Sequence, residues 1–126
     1  MLKRVIAMLL LSASAGTAVF AHHSYAEYYR DQKVAIEGVV DHVTIANPHA
    51  ILVVRTDEGT SFTVEWQSAS QLQRSGFTDG MLAAGDRVIV TASPARNPET
   101  RRVTLVTEVR RPRDGWTWTR AGVALR

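Results

Sequence analysis

The stretch from Lys33 to Ile45, KVAIEGVVDHVTI, decides the fold. Its apolar residues alternate with polar ones, as in a strand with one buried face, and Val34 and Ile36 share that face. After Gly38 the apolar positions change phase and become Val39, Val43 and Ile45. A phase change at a glycine is typical of a β-bulge, where one strand bends from one sheet into another. The sequence therefore predicts a long first strand that bends at Gly38.

The segments that follow also have the pattern of short strands separated by turn residues. Further strands are predicted over residues 50–56, 61–66, 87–95 and 102–111, with a short sixth at 116–118. A short helix is predicted between the third and fourth strands, with Ser68 as N-cap and Gly76 as stop signal. This order is typical of a mainly β, small OB-like five-stranded Greek-key barrel, and an open sandwich is the alternative.

The predicted core consists of the apolar residues that fall in phase along these elements. They are Ile36, Val39, Val43, Ile51, Val53, Phe62, Val64, Leu72, Val88, Val90, Val103 and Leu105. Their burial is ample for a small domain, at roughly 1.5–3 kcal/mol for each side chain.

Residues 1–21 have the pattern of a secretory signal peptide, with cleavage after Ala21. Basic Lys3 and Arg4 precede the short apolar run VIAMLLL, and small residues follow it. An uncleaved N-terminal anchor is the alternative. We therefore expect one domain over residues 22–126, periplasmic and without a stable membrane span after cleavage.

The composition excludes several kinds of site. There is no cysteine, which excludes disulfides, thiolate metal sites and a cysteine nucleophile. No phosphate loop, dinucleotide fingerprint or G-x-S-x-G motif occurs, so an enzyme is not expected. Charge is segregated, since residues 96–126 carry eight arginines and three acidic residues, whereas residues 22–95 carry five basic and nine acidic ones. An Arg-rich C-terminal face of this kind would attract phosphate or acidic lipid; the alternative, which we favour, is a solvated surface in an arginine-biased protein.

Several motifs, taken together, resemble a family of small exported bacterial proteins, domain-of-unknown-function family 6152. The motifs are AHHSY at 21–25, VAIEGVV at 34–40, IANPH at 45–49, VEWQS at 64–68, GFT at 76–78 and LAAGDRV at 82–88. Ala69, Phe77 and Ala84 depart from the family's usual proline, tryptophan and proline. The resemblance implies export and the barrel fold, and it implies no reaction.

Histidines are the strongest candidates for chemistry. Cleavage after Ala21 would make His22 the N-terminal residue, whose α-amine and ring Nδ1 can chelate one metal ion. His23 or His49 would then complete a three-nitrogen site of the kind that Cu(II) favours. His22, His23 and His49 are therefore the candidate ligands for copper or another divalent metal. The alternative is a frayed terminus and a polar turn residue at His49.

Two tryptophans near the C-terminus are the second candidate. In a strand, Trp116 and Trp118 lie on one face. Exposed, they would stack on a sugar or a base; alternatively, they cover an open end of the barrel, which we favour.

Two functions are consistent with these features. One is a copper-type metal-binding or metal-delivery protein. A related hypothesis is a redox enzyme that uses the same terminal-histidine copper site. The other is a non-metal interaction module in which the Arg-rich face binds an acidic ligand or a partner protein. We expect an unknown periplasmic protein or a small ligand as partner, and no nucleic acid.

Overall fold

The computed structural model describes residues 25–125, which form a closed barrel with a two-stranded extension. The strands are β1 (Val34–Thr44), β2 (Ile51–Arg55), β3 (Ser61–Glu65), β4 (Arg87–Pro94), β5 (Arg102–Arg111), β6 (Trp116–Thr119) and β7 (Gly122–Leu125). One helix, α1 (Ala69–Arg74), lies between β3 and β4, and a 3-10 helix, Pro98–Thr100, precedes β5. The predicted leader, residues 1–21, lies outside the described residues.

Closure of the barrel depends on β1, which pairs with β4 through its first half and with β2 through its second half. Antiparallel ladders join β2 to β3 and β4 to β5, and a short parallel ladder between β3 and β5 completes the circle. The predicted OB-like five-stranded Greek-key barrel is confirmed. Strands β6 and β7 extend the sheet from β5, and β7 is not apparent from the sequence pattern.

The predicted helix is also confirmed, with the predicted cap. The Ser68 hydroxyl accepts a hydrogen bond from the Gln71 backbone N–H, and the Gln71 side chain accepts one from the Ser68 backbone. This capping box satisfies two of the free N–H groups of the first turn. Leu72 is buried on the inner face, and Gly76 follows the helix at φ +83°.

The bend in β1 differs from the prediction. Gly38 lies in regular register opposite Val88 and is not among the residues of positive φ. The irregularity lies at Asp41, between Val40 and His42, in the ladder with β2. Gly38 is required for another reason, because a Cβ there would overlap the carbonyl group of Arg55.

Part of the predicted core is wrong in phase. In β1 the buried residue is Val40 rather than Val39, and in β2 Leu52 and Val54 replace Ile51 and Val53. In β5 Val106 is fully buried, whereas Leu105 is only half-buried. The other predicted residues belong to the core or pack against it.

Candidate functional site

A segment at the start of the described chain, residues 25–33, runs along the ends of β4 and β5; we call it the N-terminal strap. Its anchor is Tyr28, which is 6% exposed and pairs with Ala95 in an isolated β-bridge. The Tyr29 N–H donates to the Pro94 carbonyl (2.9 Å), and the Arg96 N–H donates to the Glu27 carbonyl (2.8 Å). The strap is therefore held to the barrel by its backbone.

Opposite the strap, β5 bulges away from β4. The ladder pairs Thr91 with Glu108 but Ser93 with Thr104, so β5 contains more residues than β4 over this interval. Leu105 lies within the bulge at φ 50°, a left-handed conformation that is uncommon for a residue with a branched side chain. Such conformations persist only where the surroundings enforce them, and they concentrate at functional sites.

Lys33 joins the strap to this bulge. Its Nζ donates to the Ser93 hydroxyl (2.7 Å) and to the Leu105 carbonyl (3.3 Å). An ammonium group has three N–H donors. Among the described residues these two bonds are the only ones that Nζ makes, so one donor is left for a ligand.

Between the strap and the bulge lies an open cleft of about 800 Å³. Arg120, in the tight turn between β6 and β7, contributes to its wall. The charged residues that line the cleft are Arg30, Asp31, Lys33, Arg96 and Arg120. Four cations therefore face one carboxylate, and the cleft has a net positive charge.

These four cations differ from most other basic side chains of the barrel in how they are paired. Outside the cleft, five arginines form ion pairs with carboxylates: Arg55, Arg87, Arg102, Arg111 and Arg113. Within residues 25–125, none of the cleft's four cations lies within 4.0 Å of a carboxylate oxygen. Arg30 and Arg96 instead lie over the rings of Tyr25 and Tyr29, at 5.7 and 4.6 Å from the ring centroids.

The electrostatics of Lys33 agree with this arrangement. Partial burial lowers the pKa of Lys33 below its usual value, and the positive charge of Arg120 lowers it further. Both effects disfavour the ammonium form. An anion bound in the cleft would relieve the repulsion between Lys33 and Arg120.

The described arginines of the predicted Arg-rich C-terminal face lie in different environments. Arg102 pairs with Glu65. Arg101 and Arg110 are exposed and form no ion pair within residues 25–125. Arg111 binds Asp86 (2.9 Å) with a side chain only 12% exposed, and Arg113 binds the other oxygen of Asp86 (3.1 Å). Arg111 thus makes a largely buried ion pair with Asp86, whereas Arg113 reaches Asp86 from the surface, with a side chain 68% exposed. Arg96 and Arg120 line the cleft.

Of the three predicted metal ligands, only His49 lies among the described residues; His22 and His23 precede them. His49 Nε2 is 3.5 Å from Glu65 Oε1, and its Nδ1 is 3.4 Å from the Trp66 carbonyl oxygen. Arg102 holds the other oxygen of Glu65 at 3.4 Å. Within residues 25–125 no group of three or more His, Asp or Glu side chains is arranged to hold a metal ion.

Trp116 and Trp118 are buried members of the hydrophobic core. They are 5% and 1% exposed, and Trp118 packs edge-to-face on Trp66 with centroids 5.0 Å apart. Trp118 Nε1 donates to the Ser75 hydroxyl (2.8 Å). The preferred interpretation, that they cover one end of the barrel, agrees with this burial, and stacking on an external sugar or base is wrong.

Sequence reasoning missed Arg30 and Lys33 as site residues. Lys33 directly precedes β1 and Arg30 lies at the preceding turn, and no pattern in the sequence shows which basic residues will find carboxylate partners. The weak available signal was that Lys33 is the only lysine after Lys3 in an arginine-rich chain.

Comparison with known proteins gives a family. The sequence model of the protein family "Family of unknown function (DUF6152)" matches residues 9–104, about three quarters of the chain. No curated protein matches. Among the described residues, no helix is both long and apolar enough to cross a membrane.

Proposed function

The chain belongs to the family of unknown function DUF6152, and we propose that it is a binding module that captures an anionic ligand in the cleft between the strap and the β5 bulge. The observation that carries this proposal is the grouping of Arg30, Lys33, Arg96 and Arg120 around one cavity, with no carboxylate partner within residues 25–125.

Charge pairing elsewhere in the barrel supports this proposal. A solvated basic surface would mix paired and unpaired cations at random. Within residues 25–125, five of the eight arginines outside the cleft are paired with carboxylates, including the buried Asp86 and the half-buried Glu65, whereas none of the four cleft cations is paired. Clustered cations in a concave site add their fields, and charge-assisted hydrogen bonds to an anion are among the stronger polar contacts.

The ligand's location follows from the predicted leader. With a signal peptide at residues 1–21, the module acts in the periplasm on a small acidic molecule or an acidic segment of a partner protein. The cleft is open along one side, so it suits an exposed anionic group of either source.

Isothermal titration with pyrophosphate, at low and at high salt, tests the proposal. We expect saturable binding that weakens with salt, and Lys33→Ala or Arg96→Ala should lower the affinity about ten-fold, since one charge-assisted bond contributes about 1.5 kcal/mol. Arg110→Ala is the matched control, because Arg110 is exposed, lies outside the cleft and forms no ion pair within residues 25–125. No saturable binding, or an equal loss in the control, would refute the proposal.

Copper binding is a second candidate, supported by the position of His49. Its ring is 41% exposed and lies beside the Glu65 carboxylate, so it offers one nitrogen and a neighbouring oxygen at the surface. A terminal His22 amine and ring would supply the remaining nitrogens of a Cu(II) site.

Titration of Cu(II) into protein that begins at His22 tests this candidate. One residue added before His22 should abolish tight binding, because it moves the amine away from the ring. His49→Ala should weaken binding, whereas His42→Ala, which removes an exposed histidine bonded to Thr44, should not. Unchanged affinity in the extended protein would refute copper chelation.

A further inference from the structure

A second cavity, of about 320 Å³, adjoins the cleft at Arg120. It lies between α1 and the turn that joins β6 to β7. Its lining residues are Gln67, Gln71, Arg74, Ser75, Trp118, Arg120 and Ala121. Arg120 contributes to the walls of both cavities, so the two sites share one cation.

The second cavity offers more free donors than acceptors, although the amide of Gln67 contributes one group of each kind. The capping box occupies the side-chain oxygen of Gln71, which leaves its NH₂ group free among the described residues. The Ser75 hydroxyl is used on both sides, since it donates to the Leu72 carbonyl and accepts from Trp118 Nε1.

Arg74 adds a second positive charge to this cavity. It is exposed at the end of α1 and forms no ion pair within the described part of the chain. Among residues 25–125, no carboxylate lines the cavity. Two guanidinium groups and an amide donor, without a competing acid, suit anionic oxygens.

We propose that the binding site continues past Arg120 into this second cavity, so that the ligand is a linear polyanion with anionic groups in both. This inference rests on the proposed anion binding in the cleft. Lys33 and Arg96 would hold one part of the chain, Arg120 the middle, and Arg74 with the Gln71 amide the other part.

The test compares a short probe with a long one. Wild-type protein is titrated with pyrophosphate, which one cavity can hold, and with long-chain linear polyphosphate, which can occupy both. Arg74→Ala should lower the affinity for the long chain about five- to ten-fold and leave pyrophosphate affinity unchanged, since one charge-assisted contact is lost only with the long probe. Arg120→Ala should weaken both, and Arg110→Ala neither.

Gln71→Glu is a second variant that keeps the fold. Glutamate serves in a capping box as well as glutamine does, so α1 is retained while the amide donors become a negative charge. We expect a loss of long-chain affinity with unchanged pyrophosphate affinity and unchanged melting temperature.

The outcomes separate the two proposals. If wild-type protein binds neither probe, the anion-binding function itself fails. If both probes bind, but the long-chain affinity of Arg74→Ala and of Gln71→Glu equals that of the control Arg110→Ala, the second cavity is not part of the site. An equal loss for both probes in Arg74→Ala also overturns the inference, because it places the short probe at Arg74.

Discussion

Gly38→Ala tests the close approach of β2 to β1 where β1 changes pairing partner. At this point β1 leaves β4 and joins β2, and the end of β2 crosses close to the glycine. A Cβ at Gly38 would overlap the Arg55 carbonyl, at 2.7 Å from the carbonyl carbon and 3.0 Å from the Thr56 nitrogen. Carbon atoms in normal contact are about 3.5–4.0 Å apart, so the β2 backbone must move by about 1 Å.

The expected cost follows from what must move. Overpacking by one methyl group typically costs about 1–3 kcal/mol. Here the obstacle is backbone, held by the β1–β2 ladder and by the Arg55–Asp41 ion pair (3.1 Å), so it yields less readily than a flexible side chain. We expect the free energy of unfolding to fall by about 2–3 kcal/mol, and the melting temperature by roughly 10–20 °C for a domain of this size.

Urea denaturation and thermal melting of Gly38→Ala measure this cost. Ala35→Gly is the matched control in the same strand, at an exposed position where alanine should be better than glycine by about 0.5–1 kcal/mol. Both substitutions should therefore lower the free energy of unfolding, although Gly38→Ala replaces glycine with alanine and Ala35→Gly replaces alanine with glycine. If Gly38→Ala were as stable as wild type, or more stable, the close approach of β2 would not be the reason for glycine.

Three further predictions concern charged groups. Arg120→Ala should raise the pKa of Lys33, because the Arg120 charge is one cause of its lowering. Saturating pyrophosphate should also raise this pKa. NMR titration of ¹³C-methylated Lys33 measures both effects, and a lower pKa in either case would contradict the cleft electrostatics. Asp86→Asn should lower the free energy of unfolding by about 3 kcal/mol in urea denaturation, since it leaves the buried guanidinium of Arg111 partly uncompensated. Asp114 lies on the exposed side of Arg111, so Asp114→Asn should lower the free energy of unfolding much less. Hydrogen bonds from Arg111 hold the pKa of Asp114 below its usual value. The stability that Asp114 adds is therefore complete above the ordinary aspartate pKa and is lost as the pH falls through the lowered pKa. Asp114→Asn should flatten the pH dependence of the urea midpoint below about pH 4, and an unchanged pH dependence would count against this contribution.

The element order was predictable because turn and cap residues are local signals. Ser68, Gln71 and Gly76 define α1 without reference to the rest of the chain. The phase of β2 was not predictable, because ILVVR contains four apolar residues in succession and offers no alternation to show which face is buried. Its inward face is set by pairing with β1 and β3 on both sides.

The errors at Gly38 and Leu105 share one physical cause. A glycine in a strand is compatible with a bulge or with a close backbone approach, and only the position of β2 decides between them. Leu105 looked like a regular core position, yet the bulge in β5 rotates the strand so that Val106 is buried instead. Bulges depend on the partner strand, which the sequence of one strand does not describe.

The candidate site was less predictable than the barrel. The arginine excess of residues 96–126 was compatible with anion binding or with a solvated surface, and it did not show which arginines would form ion pairs within residues 25–125. Arg111 and Arg113 converge on Asp86, which lies about 25 positions earlier in the chain. Arg120 reaches the cleft only because β7 returns along β6 and fixes the turn between them.

The separation of paired and unpaired cations also bears on why the strap is built as it is. Tyr28, not a salt bridge, anchors it, and Arg96 is held by a backbone carbonyl, that of Ala26 (2.9 Å), and by the ring of Tyr29. These contacts position the guanidinium group without neutralising it. Carboxylates position the Arg111 guanidinium group and neutralise its charge. The ring of Tyr25 positions Arg30, and the ring of Tyr29 with the Ala26 carbonyl positions Arg96, but these contacts do not neutralise the charge, which in our proposal attracts the anion.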